Sequence, residues 1–314
     1  MGVSNMKLLQ VNNVFKYYNS KGVFSNKKSE TRAVDGVSLN LDKGKCLGIV
    51  GESGCGKSTL ARMITGIENP DKGEIIFEGE RISASIRNPI WRKDIQIVYQ
   101  DCVDALNPKM TAAQVLKEPL KNFFNLGGEK LRKKQEELME IVGLLPIDLD
   151  KKTTQFSGGQ LQRICIARAL AAEPKLIVLD EPLSSLDVSV QAQILNLLQD
   201  IKCNMGVSYI LISHDIEAVY YLADSLVIMY SGNIIESIDD ITNFKELSHP
   251  YTKRLIISPS EEIEEDFIYE KEQIIFGCKY VNRCSQVNKN CYQNSCDLIE
   301  IENGHYSTCI LYKD

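Results

Sequence analysis

An α/β fold built around a mostly parallel sheet is predicted by three features of the sequence. Four short runs, Lys45–Val50 (KCLGIV), Ile95–Tyr99 (IQIVY), Leu176–Leu179 (LIVL) and Tyr209–Ile212 (YILI), are dominated by apolar residues, as strands covered on both faces must be. The first run ends in a glycine-rich segment followed by the helical pattern LARMITGI, giving the order strand, loop, helix. Between the last two runs Val190, Ile194, Leu197, Leu198 and Ile201 recur at helical spacing, which supplies the crossover helix that parallel neighbours require.

The remaining elements follow in order. A charged helix is expected from Leu131 to Val142, with Leu138, Ile141 and Val142 on one face and Gly143 as its stop. Lying between strands, it reads as a helical insert. The run SLVIMYSGNIIESI has two β-rich arms about Ser231-Gly232-Asn233, the pattern of a hairpin. The acidic stretch EEIEEDF around Glu264 reads as a solvated linker or an exposed helix face, and a cysteine-rich tail follows. No internal repeat is seen. At about 150 residues per domain, 314 residues suit two domains, or one large domain with an appendage.

Composition removes several classes. Apolar residues at 44% and charged residues at 25% are those of an ordinary globular chain, not a disordered one. The formal charge of −6 carries no basic footprint, so nucleic acid is not an expected partner. No run approaches the roughly 18 apolar residues of a membrane span, and the first residues lack the apolar stretch of a signal peptide. Met1-Gly2 does not start a myristoylation motif, since Met6 stands where Ser or Thr is needed. Without an export signal, ten cysteines are not expected to form a disulfide framework. Five are scattered, and Cys278, Cys284, Cys291, Cys296 and Cys309 crowd the tail.

Gly51–Ser58 reads G-E-S-G-C-G-K-S, a complete phosphate-binding loop in the required context after a strand and before a helix. Gly51, Gly54 and Gly56 let backbone N–H groups converge on phosphate oxygens, and the following helix N-terminus adds partial positive charge. Lys57 supplies a full charge to the terminal phosphates, and the Ser58 hydroxyl is placed to ligate Mg²⁺. The expected nucleotide-contacting set is Gly51, Glu52, Ser53, Gly54, Cys55, Gly56, Lys57, Ser58 and Thr59. Downstream, Asp180 and Glu181 end an apolar strand. A carboxylate buried there without a partner would be costly, so Asp180 is expected to orient Mg²⁺. Glu181 is positioned to polarise an attacking water and accept its proton, a contribution on the order of 10²–10⁴ in rate.

Those motifs are shared by many kinases and NTPases. The tract Phe156–Arg163 (FSGGQLQR) is more specific and resembles the signature of the ATP-binding cassette (ABC) family, with Phe156 where the family usually has Leu. The resemblance spans about the first 255 residues. It implies a cassette over 1–255, with a RecA-like parallel core, an antiparallel β subdomain and a helical subdomain at about 101–156, followed by a cysteine-rich extension over 256–314. It also implies further site residues. Gln100 matches the glutamine loop and a Mg²⁺ contact. Asp187, in Ser184-Ser185-Leu186-Asp187, matches the loop through which paired cassettes sense each other, and His214 in LISHD matches the switch histidine at the γ-phosphate. Tyr18 matches the aromatic residue that stacks on adenine, with Tyr17 the competing choice. Ser157, Gly158, Gly159 and Gln160 would close over ATP held by the opposite subunit, so the chain is expected to act in a pair.

Three tracts narrow the resemblance. Ala105–Thr111 (ALNPKMT) and His249–Thr252 (HPYT) are similar to the S-L-N-P-R-M-T and H-P-Y-T tracts of ATPases serving oligopeptide, dipeptide and nickel importers. The third is the tail, with Cys278, Cys284, Cys291 and Cys309 as a possible four-thiolate set. Some peptide-permease ATPases carry a [4Fe–4S] cluster in this region. Zn²⁺ and plain free thiols are the alternatives, because soft sulfur ligands suit either metal centre and the tight C-x2-C knuckles common in zinc sites are missing. The resemblance implies a peripheral ATPase on the cytoplasmic face of the membrane. Its partners would be a second ATPase, in a heterodimer, two permease subunits and, indirectly, an extracytoplasmic solute-binding protein. The closest rival solute is nickel or a metallophore.

Overall fold

Two long antiparallel strands, β1 (Lys7–Lys21) and β2 (Lys28–Asp42), open the chain in the computed structural model, which describes residues 7–21, 28–86, 91–184, 186–242, 247–257, 277–293 and 297–312. After β3 (Cys46–Val50) and α1 (Lys57–Ile64), β4 (Lys72–Phe77) and β5 (Glu80–Arg81) return to the hairpin. The result is a four-stranded sheet of order β2-β1-β4-β5. The short α2 (Trp91–Asp94) leads into β6 (Ile95–Val98). Four helices follow: α3 (Cys102–Ala105), α4 (Ala112–Phe124), α5 (Gly128–Ile141) and α6 (Gly158–Leu170). Next come β7 (Leu176–Asp180), α7 (Val188–Met205), β8 (Ser208–Ser213), α8 (Ile216–Leu222), β9 (Ser225–Tyr230), β10 (Asn233–Ile238) and α9 (Pro250–Ile257). The tail adds α10 (Asn290–Gln293), β11 (Ile299–Glu302) and β12 (His305–Ser307). Ser185, Cys296 and the acidic stretch around Glu264 lie outside the described residues.

The second sheet has the order β11-β12-β10-β9-β3-β8-β7-β6. From β9 to β6 every pairing is parallel, and all four expected buried strands are among them. Their continuous apolar character follows from burial on two faces with a period of two. Leu176 and Val178 pack with the hairpin and α1, whereas Ile177 and Leu179 pack with the helices on the other face. Strand β8 divides in the same way, Ile210 and Ile212 against Tyr209 and Leu211. Helix α7 buries Ile194, Leu197, Leu198 and Ile201, as its spacing predicts.

The insert helices are capped by their own sequence. Thr111 forms a reciprocal capping box with Gln114 at the start of α4. Helix α5 begins three residues earlier than expected and ends at Ile141, with Val142 as its cap ahead of Gly143. Its buried face is Leu138, Met139 and Val142, while Ile141 is 40% exposed, which corrects the expected face. At about 100° per residue, Met139 and Val142 fall on one side of Leu138 and Ile141 on the other. The hairpin turn is as expected: Ser231 and Gly232 join β9 to β10 with φ of 45° and 82°, the doubly positive pair of a two-residue turn that matches strand twist.

The tail is built into the large sheet. Strand β12 pairs antiparallel with β10, bringing His305 opposite Ile238. Beside it Glu236, fully buried, accepts from the Ser248 N–H at 2.6 Å, the Ser248 hydroxyl at 2.8 Å and the His249 N–H at 3.1 Å. His305 Nε2 lies 2.7 Å from the same carboxylate. One buried charge thus joins β10, the His249–Thr252 tract and the tail. Burial alone would push the Glu236 pKa up, but hydrogen bonds from His305 and Ser248 outweigh it and hold the carboxyl below its ordinary 4.5. Removing one partner of such a pair costs about 3–5 kcal/mol, so Glu236→Ala should lower the urea-unfolding free energy by that amount. Because the folded pKa is depressed, the Glu236 contribution is complete above about pH 4.5. It is lost as pH falls through the folded value, and urea midpoints of wild type and variant measured against pH should converge in acid.

Candidate nucleotide site

In a parallel sheet the carboxyl ends of neighbouring strands lie side by side, and the loops leaving them make a common crevice. Here β3 runs into Gly51 and the glycine-rich loop, β8 into His214, β7 into Glu181 and β6 into Tyr99 and Gln100. Residues widely separated in sequence meet through the strand order β3-β8-β7-β6.

The loop is folded around Lys57. Lys57 is 5% exposed, and its ammonium donates to the carbonyls of Gly51 at 2.6 Å and Glu52 at 3.0 Å. A buried ammonium requires such acceptors, and reaching them forces the backbone into a tight curl. Gly56, at the start of α1, adopts φ 111° with the Ala33 carbonyl oxygen 2.1 Å from where a Cβ would stand. A Cβ on Gly51 would stand 2.3 Å from the Met229 carbonyl oxygen, and the Gly232 N–H donates to Cys55 O at 2.9 Å. Cys55 is buried, which raises its thiol pKa. Ser53, Gly54 and Ser58 are exposed, and Thr59, the third residue of α1, is buried.

The acidic strand end faces this loop. Ser58 Oγ donates to Asp180 Oδ1 at 3.2 Å, bringing together two hard oxygen donors of the kind Mg²⁺ takes. Burial raises the Asp180 pKa, the Ser58 hydrogen bond opposes the shift, and the neighbouring Glu181 charge adds to it. Glu181 occupies the left-handed region at φ 48°, a conformation that costs a residue of this type about 1–3 kcal/mol and is concentrated at functional sites. Its N–H is tied to Ile212 O at 2.9 Å. Its carboxylate lies 3.4 Å from His214 Nδ1, with the histidine 60% exposed. A carboxylate and an imidazole at this separation can together orient a water and relay a proton.

Tyr18 stands beside α1: its hydroxyl donates to Glu68 at 2.5 Å and accepts from Arg62 at 3.3 Å, and Arg62 also reaches Thr59. Tyr17 instead packs with Phe15 and Arg32. Gln100 is exposed just past β6. Ser157 caps α6 through a reciprocal box with Gln160, and Ser157, Gly158 and Gln160 are exposed. Among the described residues no hydrogen bond or ion pair joins Ser157–Gln160 to the loop of the same chain. Asp187, exposed, precedes α7.

Two contacts at the loop were not foreseen from the sequence. The Glu52 N–H donates to the Tyr251 hydroxyl at 2.8 Å, and Arg283 grips the Glu52 carboxylate with both terminal nitrogens at 2.8 and 3.0 Å. The HPYT tract flagged Tyr251 without a role, and no local pattern marks Arg283. The adjoining tail cysteines share one pocket: Cys278, Cys284, Cys291 and Cys309 line it together with His249. Burial, then repulsion from the other three thiols, raises the Cys309 pKa to about 11, and Cys284 is raised as well. Among the described residues no group of three His, Cys, Asp or Glu side chains is arranged to hold a metal ion.

The curl of the loop has a direct test. Gly56→Ala adds a methyl against a backbone carbonyl at positive φ, so unfolding free energy should fall by at least about 1–3 kcal/mol. The rise in thermal midpoint on adding Mg-ATP, the mark of binding to the native state, should disappear in the same melting experiment.

The sequence profile described as ABC transporter matches residues 34–184. The oligopeptide transport ATP-binding protein OppF of Haemophilus influenzae is 39% identical over 330 residues, covering 99% of this chain and 99% of that protein. The dipeptide transport ATP-binding protein DppF of Escherichia coli is 43% identical over 252 residues, covering 79% and 75%. Among solved structures, the dimeric post-hydrolysis state of the ATP-binding cassette MJ0796 bound to ADP and Pi superposes with a TM-score of 0.66 at 28% identity, over 75% of this chain and 100% of that one. cbiO1 from Clostridium perfringens, part of the ABC transporter complex cbiONQ, gives 0.63 at 30% identity, over 74% and 88%. With 39% identity over an alignment that spans the tail as well as the core, the chain belongs to the ABC transporter family, among its oligopeptide and dipeptide transport ATP-binding proteins.

Proposed function

We propose that this chain is the ATP-hydrolysing subunit of an importer for oligopeptides or dipeptides. It works in a cassette pair, a heterodimer with a related ATPase, on the cytoplasmic face beside two permease subunits and is served indirectly by an extracytoplasmic solute-binding protein. Relatives named for oligopeptide and dipeptide transport support that solute class over nickel. None of the helices is long and apolar enough to cross a membrane among the described residues, in keeping with a subunit that leaves the crossing to others. The cassette is taken as 1–255, its helical insert as about 101–156, and the extension as 256–314.

The observation that carries the chemistry is the convergence of Lys57, the Ser58–Asp180 pair and the Glu181–His214 pair at adjacent strand ends. In this reading the loop Gly51–Thr59 cradles the phosphates, Lys57 exchanges its own loop carbonyls for phosphate oxygens, and Tyr18 stacks on adenine. Ser58, Asp180 and Gln100 would hold Mg²⁺, which when bound neutralises charge on the terminal phosphates. Glu181 takes the proton of the attacking water, and His214 holds the γ-phosphate. Ser157, Gly158, Gly159 and Gln160 reach the partner's nucleotide, the helix dipole of α6 adding to their N–H groups, and Asp187 reports on the partner's site. The exposure of that capped helix start supports a site completed between subunits. Binding closes the pair and hydrolysis resets it, which drives transport only through different affinities for the open and closed states.

Glu181→Gln should retain Mg-ATP binding, lose at least about 10²-fold in turnover and accumulate as a closed pair on size-exclusion chromatography with ATP. Undiminished ATPase activity would sink the assignment of the base. The four tail thiols enter the proposal as soft-metal ligands, [4Fe–4S] before Zn²⁺. They share a pocket but are not arranged there as a metal-holding group among the described residues, so plain free thiols stand as the alternative. Iron and zinc content after anaerobic purification checks this; protein free of both metals removes it.

A further inference from the structure

Glu52, the second residue of the phosphate loop, is held twice by segments from the far end of the chain. The Tyr251 hydroxyl accepts its N–H at 2.8 Å, and Arg283 takes its carboxylate in a two-pronged pair at 2.8 and 3.0 Å. Such a fork fixes orientation as well as distance. Both holders are themselves anchored. Tyr251 and Tyr280 pack on Tyr230, with ring centroids 4.7 and 5.3 Å away, and on each other at 5.3 Å. The Arg283 guanidinium lies 5.8 Å from the centre of the Tyr280 ring. Lys279 reaches Asp35 at 3.5 Å, two residues from the Ala33 carbonyl that confines Gly56. The buried Glu236 fastens the whole assembly to β10.

A carboxylate in a loop that receives a polyphosphate is an electrostatic liability, since like charges disfavour each other. Arg283 offsets that charge. Resting on the nucleotide-site reading above, we propose that Tyr251 and Arg283 are positioning residues for ATP binding, acting through Glu52 to set the shape and charge of the phosphate loop from the tail side. Neither touches the reacting atoms, so their loss falls on affinity and leaves the hydrolytic step alone.

The test is a KM-against-kcat comparison on the full-length chain assembled with its partner cassette and permeases, with Mg-ATP titration of the isolated chain as a second measurement. The pair is about one-third exposed, so its worth lies at the upper end of a surface ion pair. Arg283→Ala should raise KM and Kd for ATP about fivefold with kcat within about twofold of wild type. In a Glu52→Gln background the same change should move KM by less than about twofold, because the charge it offsets is gone. Tyr251→Phe, which keeps the ring packing and deletes the acceptor, should also raise KM with kcat retained. An Arg283→Ala effect that is undiminished beside Glu52→Gln, or that appears in kcat and melting temperature with KM unchanged, overturns the proposal. A wild-type chain that binds no Mg-ATP overturns the nucleotide reading itself, which is a separate result.

Discussion

The ammonium of Lys57, buried and bonded to two carbonyls of its own loop, is the contact around which the rest of the structure is arranged. A cation in the interior is tolerated only where oxygen acceptors surround it. The loop supplies them through a curl that leaves no room for a Cβ at Gly51 or Gly56. That curl needs walls. The β1–β2 hairpin supplies one through Ala33, the β9–β10 turn another through Gly232, and the HPYT tract a third through Tyr251. Three elements remote from one another in sequence are placed by the needs of one loop.

The parallel sheet does the corresponding work for the acidic side. Its strands all end at one edge, so Asp180 meets Ser58 and Glu181 meets His214 without any insertion designed for the purpose. The left-handed backbone at Glu181 turns the chain sharply at the end of β7, so the carboxylate stands out of the sheet instead of continuing along it. By contrast, the capped start of α6 is turned to solvent.

Much of this was legible in the sequence, for a physical reason. Strands covered on both sides must be apolar at consecutive positions, so KCLGIV, LIVL and YILI stand out, and the phosphate loop is announced by glycines that little else requires. The β1–β2 hairpin is less visible because Asn12, Asn13, Lys16 and Asn19 break its alternation. Only the family resemblance implied an antiparallel subdomain there. Strand β11, IEIE, is short and lies at the sheet edge with its glutamates exposed, so it resembles a loop. Glu236 reads as an ordinary surface glutamate until Ser248 and His305, distant in sequence, arrive beside it. Arg283 is separated from Glu52 by 231 residues, and no local spacing rule spans that gap. Helical periodicity placed α5 correctly, but its resolution of one residue put Ile141 on the wrong side.

The carboxylate of Glu236 also has a temporal aspect. Its imidazole partner is encoded 69 residues later, so at about 5–20 residues per second a nascent chain carries β10 for roughly 3–14 s before the counterpart exists. During that interval the edge of the large sheet is open, and the acid within it still has water for company. Docking of β12 both covers the edge and seals in the charge. The tail, made after β10, is therefore the piece that completes the sheet begun by the first third.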